Sequence, residues 1–421
     1  MTNRLYYHGS FVREFEARVI SCIPAKHGGP TIQANEAWSV ILDRTAFYPT
    51  SGGQPHDTGR LGDANVTNVF EREDDAVVHV TDRPLAPGLV RGSIDWPRRF
   101  DHMQQHTGSH LLSAVFLSFY EIPAISFHLG RDTSTIDLAT ASVSPCQLEA
   151  VERRTNELIC EDLPVTVRFG TSGKEAASPK VPVSRRHGIV RTIEVEGIDV
   201  QPCGGTHVIR TGQVGMVLLR RWEKAKGNSR LEFICGERAR RAARTDFSLL
   251  QELSRQLSCK FGKIPSAISR LVLERDAAEC AVRHLREDLA ALQAQVLLAK
   301  DRAIRSSRHA SVVAHVFENH DAEYLRLVAF RLVTSPGTIV LLASRLGGHM
   351  VFAQAVGAPA NMNMLLREVV AKAGGKGGGS RNFAQGSICD PQKLDVVLRQ
   401  AVEQLSASTG VDSRMYRRPD L

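Results

Sequence analysis

The sequence predicts a multidomain α+β protein, and three observations carry that prediction. The chain has 421 residues, more than one ordinary domain takes. Its apolar pattern changes period, from strand-like alternation before residue 100 to helical spacing after it. A helical stretch with a heptad seam then separates two regions of mixed strands and helices. The expected parts are a small β-barrel-like domain over 1–100, an α+β metal-binding domain over 101–236, a helical hairpin or coiled coil over 237–308, and a C-terminal α/β domain with a Gly-rich loop over 309–421. Hydrophobic residues make up 43% of the chain, enough for each part to bury a core.

Phe15–Cys22, Trp38–Leu42, Val77–Val80 and Leu89–Ile94 read as short strands between turns rich in Gly, Pro, Asp and Asn. Among them lies Phe47-Tyr48-Pro49-Thr50-Ser51-Gly52-Gly53-Gln54-Pro55, whose glycines permit a close backbone approach. From Phe100 onward Met103, His106, His110, Leu111 and Ala114 recur at helical spacing. Ser134–Leu138 alternates as a strand, and Cys146–Asp162 reads as a helix opened by Ser144-Pro145. Ile189–Val195 and Gly215–Arg221 read as strands, with Cys203 on a turn after Pro202. Residues 237–305 are helical with a break at Gly262–Pro265. The second helix carries a seam at Ile268, Leu271, Arg275, Ala278, Val282, Leu285, Leu289, Leu292, Val296 and Ala299, spaced alternately by 3 and 4. It pairs either with the preceding helix or with another subunit. Beyond it, Ser311–Phe317, Thr338–Ala343 and Met350–Ala355 are buried-strand candidates, and Met362–Ala373 and Pro391–Ser406 are helices. The Gly374–Arg381 run between these helices reads as a loop. It lacks the Lys-Ser/Thr ending of a P-loop, so it is either a helix-ending turn or an RNA-facing loop carrying Lys376 and Arg381.

No apolar run resembles a signal peptide or approaches the about 18 residues of a membrane span. The eight cysteines are scattered without a disulfide framework. A reduced, cytoplasmic protein with mostly buried thiols is expected. The net charge is +8, and residues 220–244 hold nine Lys/Arg against three Glu. Such a stretch suits a polyanion such as RNA, or else forms a solvated helix face.

Two motifs carry the chemistry: His106-Thr107-Gly108-Ser109-His110 and, 93 positions on (203 − 110), Cys203-Gly204-Gly205-Thr206-His207. On a helix, i and i+4 side chains share a face. One such pair is weak evidence. A second pair containing Cys makes three imidazoles and a thiolate, a ligand set for a borderline metal, zinc first. Four protein ligands close a tetrahedral site, so the ion is expected to position substrate or act as a scaffold more than to make hydroxide.

These motifs resemble a known family. Asp95-Trp96-Pro97-Arg98-Arg99, Met103 and His106-Thr107-Gly108-Ser109-His110-Leu111-Leu112 look like the editing domain of alanyl-tRNA synthetase and its free-standing AlaX relatives. Gln201-Pro202-Cys203-Gly204-Gly205-Thr206-His207-Val208 is similar to the second half of that signature. Phe47–Pro55 with Asp57-Thr58-Gly59 matches the β domain that precedes it in the longer AlaX proteins. Ser126–Gly130 and Ser134–Leu138 fit the segment lining the amino-acid pocket, although synthetases often carry Gln where this chain has Ser126 and His128. Gly374–Gly386, with Asn382, Ala384 and Gln385, is similar to the C-terminal domain shared with DHH-type phosphoesterases, whose Asp-His-His motif is absent here.

The resemblance implies a trans-editing hydrolase that removes a wrong amino acid, serine first and glycine second, from tRNA(Ala). It implies one Zn²⁺ on His106, His110, Cys203 and His207, with Asp199 as a partner of a ligand histidine. Gln54, Thr107, Ser126, His128 and Thr206 are its candidate catalytic or recognition residues. Arg220, Arg221, Lys224, Lys226, Lys376 and Arg381 are its candidate tRNA contacts. No aminoacylation or ATP use is expected, because no synthetase domain stands ahead of residue 1. A homodimer through the helical region or the C-terminal domain is expected. Two other readings stay open: a zinc-stabilised tRNA-binding module without catalysis, and a phosphoesterase-like hydrolase acting through the C-terminal domain.

Overall fold

A computed structural model describes residues 2–25, 37–171, 185–186, 189–225, 227–304 and 311–409. The chain divides into two compact units, Met1–Gln256 and Leu257–Leu421, so the boundary falls inside the stretch expected to be helical.

The first unit opens with a short parallel pair, β1 (Asn3–Arg4) and β4 (Arg44–Thr45), and a helical turn α1 (Leu5–His8). β2 (Glu14–Pro24), β3 (Trp38–Leu42), β5 (Gly59–Leu61), β6 (Ala64–Glu71), β7 (Val77–Thr81) and β8 (Gly88–Ile94) close a barrel in the order β2-β3-β7-β6-β5-β8. Alternation along these strands sends Phe15, Ala17, Val19, Val40, Leu42, Val66 and Val69 inward to one core. Closure leaves no exposed sheet edge. β5 escapes the sequence reading because it is three residues long, and β6 because a bulge between Val66 and Asn68 breaks its alternation.

α2 (Trp96–Tyr120) follows directly. It starts four residues before the helical period becomes visible, at an Asp95 cap whose carboxylate accepts from Arg98 N, with Pro97 in the first turn. It is buried on nearly every face from His102 to Leu112. Polar residues on its inner faces therefore find partners: Gln105 exchanges two hydrogen bonds with the Cys235 backbone, at 3.0 and 2.8 Å. Gly108 admits the Cys235 sulfur, which would lie 2.3 Å from a Cβ there.

β9 (Ala124–Leu129) and β10 (Ser134–Leu138) form a hairpin, and α3 (Pro145–Cys160) starts at a Ser144–Gln147 capping box. Then come β11 (Val165–Thr171), β12 (Arg185–Arg186), β13 (Ile189–Val195) and β14 (Asp199–Pro202), with β14 pairing on β13. β15 (Val217–Ala225) and β16 (Asn228–Cys235) complete a sheet ordered β15-β16-β10-β9. α2, α3 and both sheets enclose one core around Met103, Leu112, Phe116, Leu158, Ile193 and Phe233. α4 (Gly236–Gln256) ends the unit.

The second unit begins with a 3-10 turn and α5 (Ile264–Ile304). The helical break lies before Ile264, and Pro265 sits inside the first turn of α5, where its missing N–H is harmless. The seam face of α5 stays exposed, with Leu285 67% and Leu292 60% accessible. Its buried face is instead Ala290, Ala294 and Leu297, packed with α6 (Ala322–Leu332). β17 (Ser311–Phe317), β18 (Thr338–Ser344), β19 (His349–Gln354), β20 (Lys376–Gly379) and β21 (Phe383–Ser387) form a sheet ordered β17-β18-β19-β21-β20. α7 (Met362–Lys372) and α8 (Leu394–Thr409) cover one face of it and α6 the other.

Gly374, at φ 75°, is the helix-ending turn, and Lys376–Gly379 of the Gly-rich run is an edge strand and not a loop. Its glycines face the backbone of β21: a Cβ at Gly379 would lie 2.2 Å from Phe383 O, and one at Gly375 2.1 Å from Ser387 O. The expectation of mostly buried thiols is also corrected. Cys235 is fully buried, whereas Cys146, Cys160 and Cys389 are exposed. Among the described residues no helix is long and apolar enough to cross a membrane.

Candidate metal centre

The two motifs meet. α2 presents His106 and His110 one turn apart, and the turn after β14 brings Cys203 and His207 against them. One ligand atom from each lies within 4.8 Å of all the others. Cys203 Sγ is 3.4 Å from His106 Nε2 and 3.3 Å from His207 Nε2. Zinc arms of about 2.0 Å to nitrogen and about 2.3 Å to sulfur span a tetrahedron with edges of about 3.5 Å, so these separations suit that ion.

Each imidazole is turned by a partner on its Nδ1, which leaves Nε2 toward the centre. His106 Nδ1 donates to Gln54 Oε1 at 2.9 Å, His110 Nδ1 to Asp199 Oδ2 at 3.1 Å, and His207 Nδ1 meets Thr107 Oγ1 at 3.1 Å. Gln54 must present its oxygen to His106, because Thr206 N also donates to that oxygen while the Gln54 amide donates to Thr206 Oγ1. Outer partners of this kind fix the tautomer and orientation of metal-binding histidines. Gly205 lies against the His106 ring, where a Cβ would stand 2.1 Å from Cε1.

The barrel supplies Gln54 through a tight turn. Ser51 and Gln54 exchange backbone hydrogen bonds, and Gly52 and Gly53 both have positive φ, 57° and 80°. Gly53 also docks on β9: its carbonyl accepts from Leu129 N at 2.9 Å, and a Cβ there would meet Phe127 O at 2.2 Å. Arg99 of α2 is fully buried and grips Asp57 with Nε and Nη2, while donating to Ser10 O and Ala46 O. This pair ties the helix that carries two ligands to the loop that carries Gln54.

Electrostatics favour the metal-binding protonation state at Cys203 and His207, whereas His110 must release a proton as an ion binds. Burial raises the Cys203 thiol, but His106, His207 and His110 outweigh it and hold the thiol well below its ordinary value. Burial opposes a charge on His110, yet Asp199 and Cys203 lift it to about 10. Burial holds His207 well below its ordinary value. A thiolate and neutral imidazole lone pairs are what a borderline cation takes up.

The other expected residues divide. Gln54, Thr107 and Thr206 stand beside the cluster, fully buried and engaged in holding it. Ser126 and His128 lie on β9 on either side of Phe127, which stacks on His106 at 4.9 Å. Strand alternation therefore turns both to the opposite, exposed face, and Ser126 donates to Asp137. The pocket assignment of these two is corrected on that ground, and Phe127 is the strand residue that touches the cluster.

The basic stretch is also less free than its charge count. Arg220 pairs with Asp246, Arg221 with Glu223, Arg230 with Asp137, Arg238 with Asp101, and Arg240 and Arg241 with Glu237. Lys224 is exposed with no ion pair among the described residues. Lys226 lies outside them. Lys376 and Arg381 are exposed on β20 and the turn after it.

The chain is 31% identical to the alanyl-tRNA editing protein AlaX-L of Pyrococcus horikoshii, over 95% of this chain and 98% of that one. The chain belongs to the alanyl-tRNA editing protein family. Another relative in that family, Aarsd1 of Mus musculus, is 31% identical over 90% of this chain and 92% of its own length. The chain also matches an alanine–tRNA ligase of Pyrococcus abyssi at 32% identity, but spans 44% of that longer protein. Three family models match parts of it: tRNA synthetases class II (A) over residues 1–98, the threonyl and alanyl tRNA synthetase second additional domain over 190–232, and the DHHA1 domain over 306–407. The second additional domain match contains Cys203 and His207. Sequence reading did not single out Arg99, Asp57, Phe127 or Gly205 for the parts they play in this editing-family site, although each falls within a motif it quoted.

Proposed function

We propose that the protein deacylates tRNA(Ala) carrying the wrong amino acid, serine first and glycine second, at the His106, His110, Cys203 and His207 cluster. The observation that carries this is the convergence of three Nδ1-anchored imidazoles and one thiolate, with ligand atoms within 4.8 Å of one another, in a chain of the editing family. The cluster fits one Zn²⁺, which when bound supplies Lewis acidity to orient the substrate.

The protein's own residues do the rest. Gln54, Asp199 and Thr107 keep the three rings aimed, so the site is organised before substrate arrives. Phe127 covers the His106 ring and keeps water from one side of it. The ester is already activated, so orienting a water and stabilising the developing oxyanion suffice. Thr206 Oγ1 accepts from Gln54 and retains a hydroxyl proton to offer. A site that hydrogen-bonds a serine hydroxyl disfavours alanine, which leaves that group unpaired. Lys224, Lys376 and Arg381 are proposed tRNA contacts, joined by Arg220 and Arg221 when RNA phosphates displace their carboxylate partners.

The test is deacylation of Ser-, Gly- and Ala-tRNA(Ala) by zinc-loaded protein. Serine and glycine esters are expected to disappear faster than in buffer, with the alanine ester spared. Esters that persist as in buffer would leave the tRNA-binding and phosphoesterase-like readings.

A further inference from the structure

Arg98, His102, His106 and His110 stand at i, i+4 intervals along one side of α2. The last two converge on the metal cluster. His102 is 3% exposed, and its Nδ1 is buried with no hydrogen-bond partner. Such a group costs stability that nothing inside the protein recovers, and it calls for a ligand or another explanation.

The surroundings of His102 are cationic. Burial first, then the charges of Arg98, Arg238, Arg99 and His56, push the ring down to about 3, so it is neutral at ordinary pH. Most of these neighbours are already engaged. Arg99 is held by Asp57, and Arg238 by Asp101 and Gly130 O. The His56 ring meets Thr50 Oγ1 and Thr67 O. Arg98 gives only Nε, to His56 O at 3.0 Å, and has no carboxylate partner among the described residues. One guanidinium without a carboxylate partner among the described residues, Arg98, thus stands beside a buried, unpartnered imidazole one helical turn from the cluster.

We propose that Arg98 and His102, bordered by Arg238, form a subsite for a phosphodiester near the 3′ end of the tRNA. This rests on the editing reading and deepens it. Helix rise places His102 about 6 Å from His106, the span of a single nucleotide. The phosphate joining the last two nucleotides then sits at Arg98 and His102 while the terminal ribose ester reaches the cluster. The guanidinium supplies charge-assisted hydrogen bonds and the neutral imidazole one N–H donor. The contact fixes register on the RNA without reading its sequence.

The test measures binding of a hydrolysis-resistant 3′-seryl-amide of adenosine, with and without a 5′-phosphate, to the zinc-loaded full chain. Wild-type protein is expected to prefer the phosphorylated amide by about tenfold, the worth of one charge-assisted contact. Arg98→Met and His102→Leu should each reduce that preference to about unity. His102→Leu also removes the unpartnered polar group, so its melting temperature should be equal to or above that of wild type. With tRNA(Ala) itself, Arg98→Met should lower the slope of log affinity against log salt by about 0.7, while the neutral His102 makes His102→Leu leave that slope unchanged. Equal wild-type affinity for the two amides, or a preference that survives in both variants, overturns the subsite. Binding of neither amide removes the subsite and the editing reading together. A phosphate preference in a protein that leaves Ser-tRNA(Ala) intact keeps the subsite and removes the hydrolytic reading.

Discussion

At the scale of single residues, Gly205 and Asp199 show how little separates a ligand from a bystander. A methyl group at position 205 would overlap the His106 ring, whose other side is covered by Phe127. Gly205→Ala should therefore lower zinc affinity by about 100-fold while far-UV circular dichroism stays unchanged. Asp199→Asn keeps the shape but loses the charge facing His110, and should cost about 10-fold. Competition with a chromophoric chelator measures both; unchanged affinity in both variants would sever these residues from metal binding. The four donors were legible in the sequence because i, i+4 spacing is a local signal. Of what held them, only Asp199 was named in that role beforehand. Gln54 reaches His106 only through a turn and a barrel that the local pattern does not place, and Ser126 and His128 were assigned the wrong strand face because alternation shows a period without its phase. Phe127, stacked on His106, supplies the phase.

At the scale of elements, the barrel carries its own pH dependence. His79 is buried inside it, with Nδ1 donating to Val40 O and Nε2 accepting from Thr45 Oγ1. Both ring nitrogens are satisfied only when the ring is neutral, and burial pushes it down to about 4 from an ordinary 6.5. The unfolded chain binds a proton below about pH 6.5 that the folded barrel refuses until about 4. The stability held by the neutral ring is present above 6.5 and is lost as pH falls through that window, by about 3 kcal/mol. Urea unfolding at pH 7.5 and 4.5 should show this loss, and His79→Gln should flatten it; a parallel loss in the variant would assign it to other groups. The Arg99–Asp57 pair is the hinge between elements. Arg99→Met strands a buried carboxylate and should cost about 3–5 kcal/mol in the same assay, against near neutrality if the pair were only decorative. Four barrel strands and helices α2, α3, α7 and α8 were legible from period, whereas β5, β6 and α6 were not. β20 was not, because five glycines in a row of eight read as a loop until a partner strand is present, against which Gly375, Gly377 and Gly379 have no room for a Cβ.

At the scale of the whole molecule, charge and exposed apolar surface were visible in the sequence, but their pairing was not. The basic stretch is largely matched by Asp101, Asp137 and Asp246, which lie far from their partners in the chain or beyond the counted window. The seam on α5 is real as a pattern and uncovered as a surface, while a different face of the helix packs. We propose a second copy of the chain as its partner. Light scattering should give a dimer for the full chain and a monomer for the Leu285→Lys, Leu292→Lys double variant; a monomeric full chain would remove the seam from the assembly.

The central claim is that the four-ligand cluster makes this chain an editing enzyme. Its most direct test is the deacylation rate of Ser-tRNA(Ala) as zinc is titrated into metal-free protein. The rate should rise in proportion to bound zinc and level off at one ion per chain, with Cys203→Ala flat throughout. A metal-free protein as fast as the loaded one, or a loaded protein no faster than buffer, would contradict it.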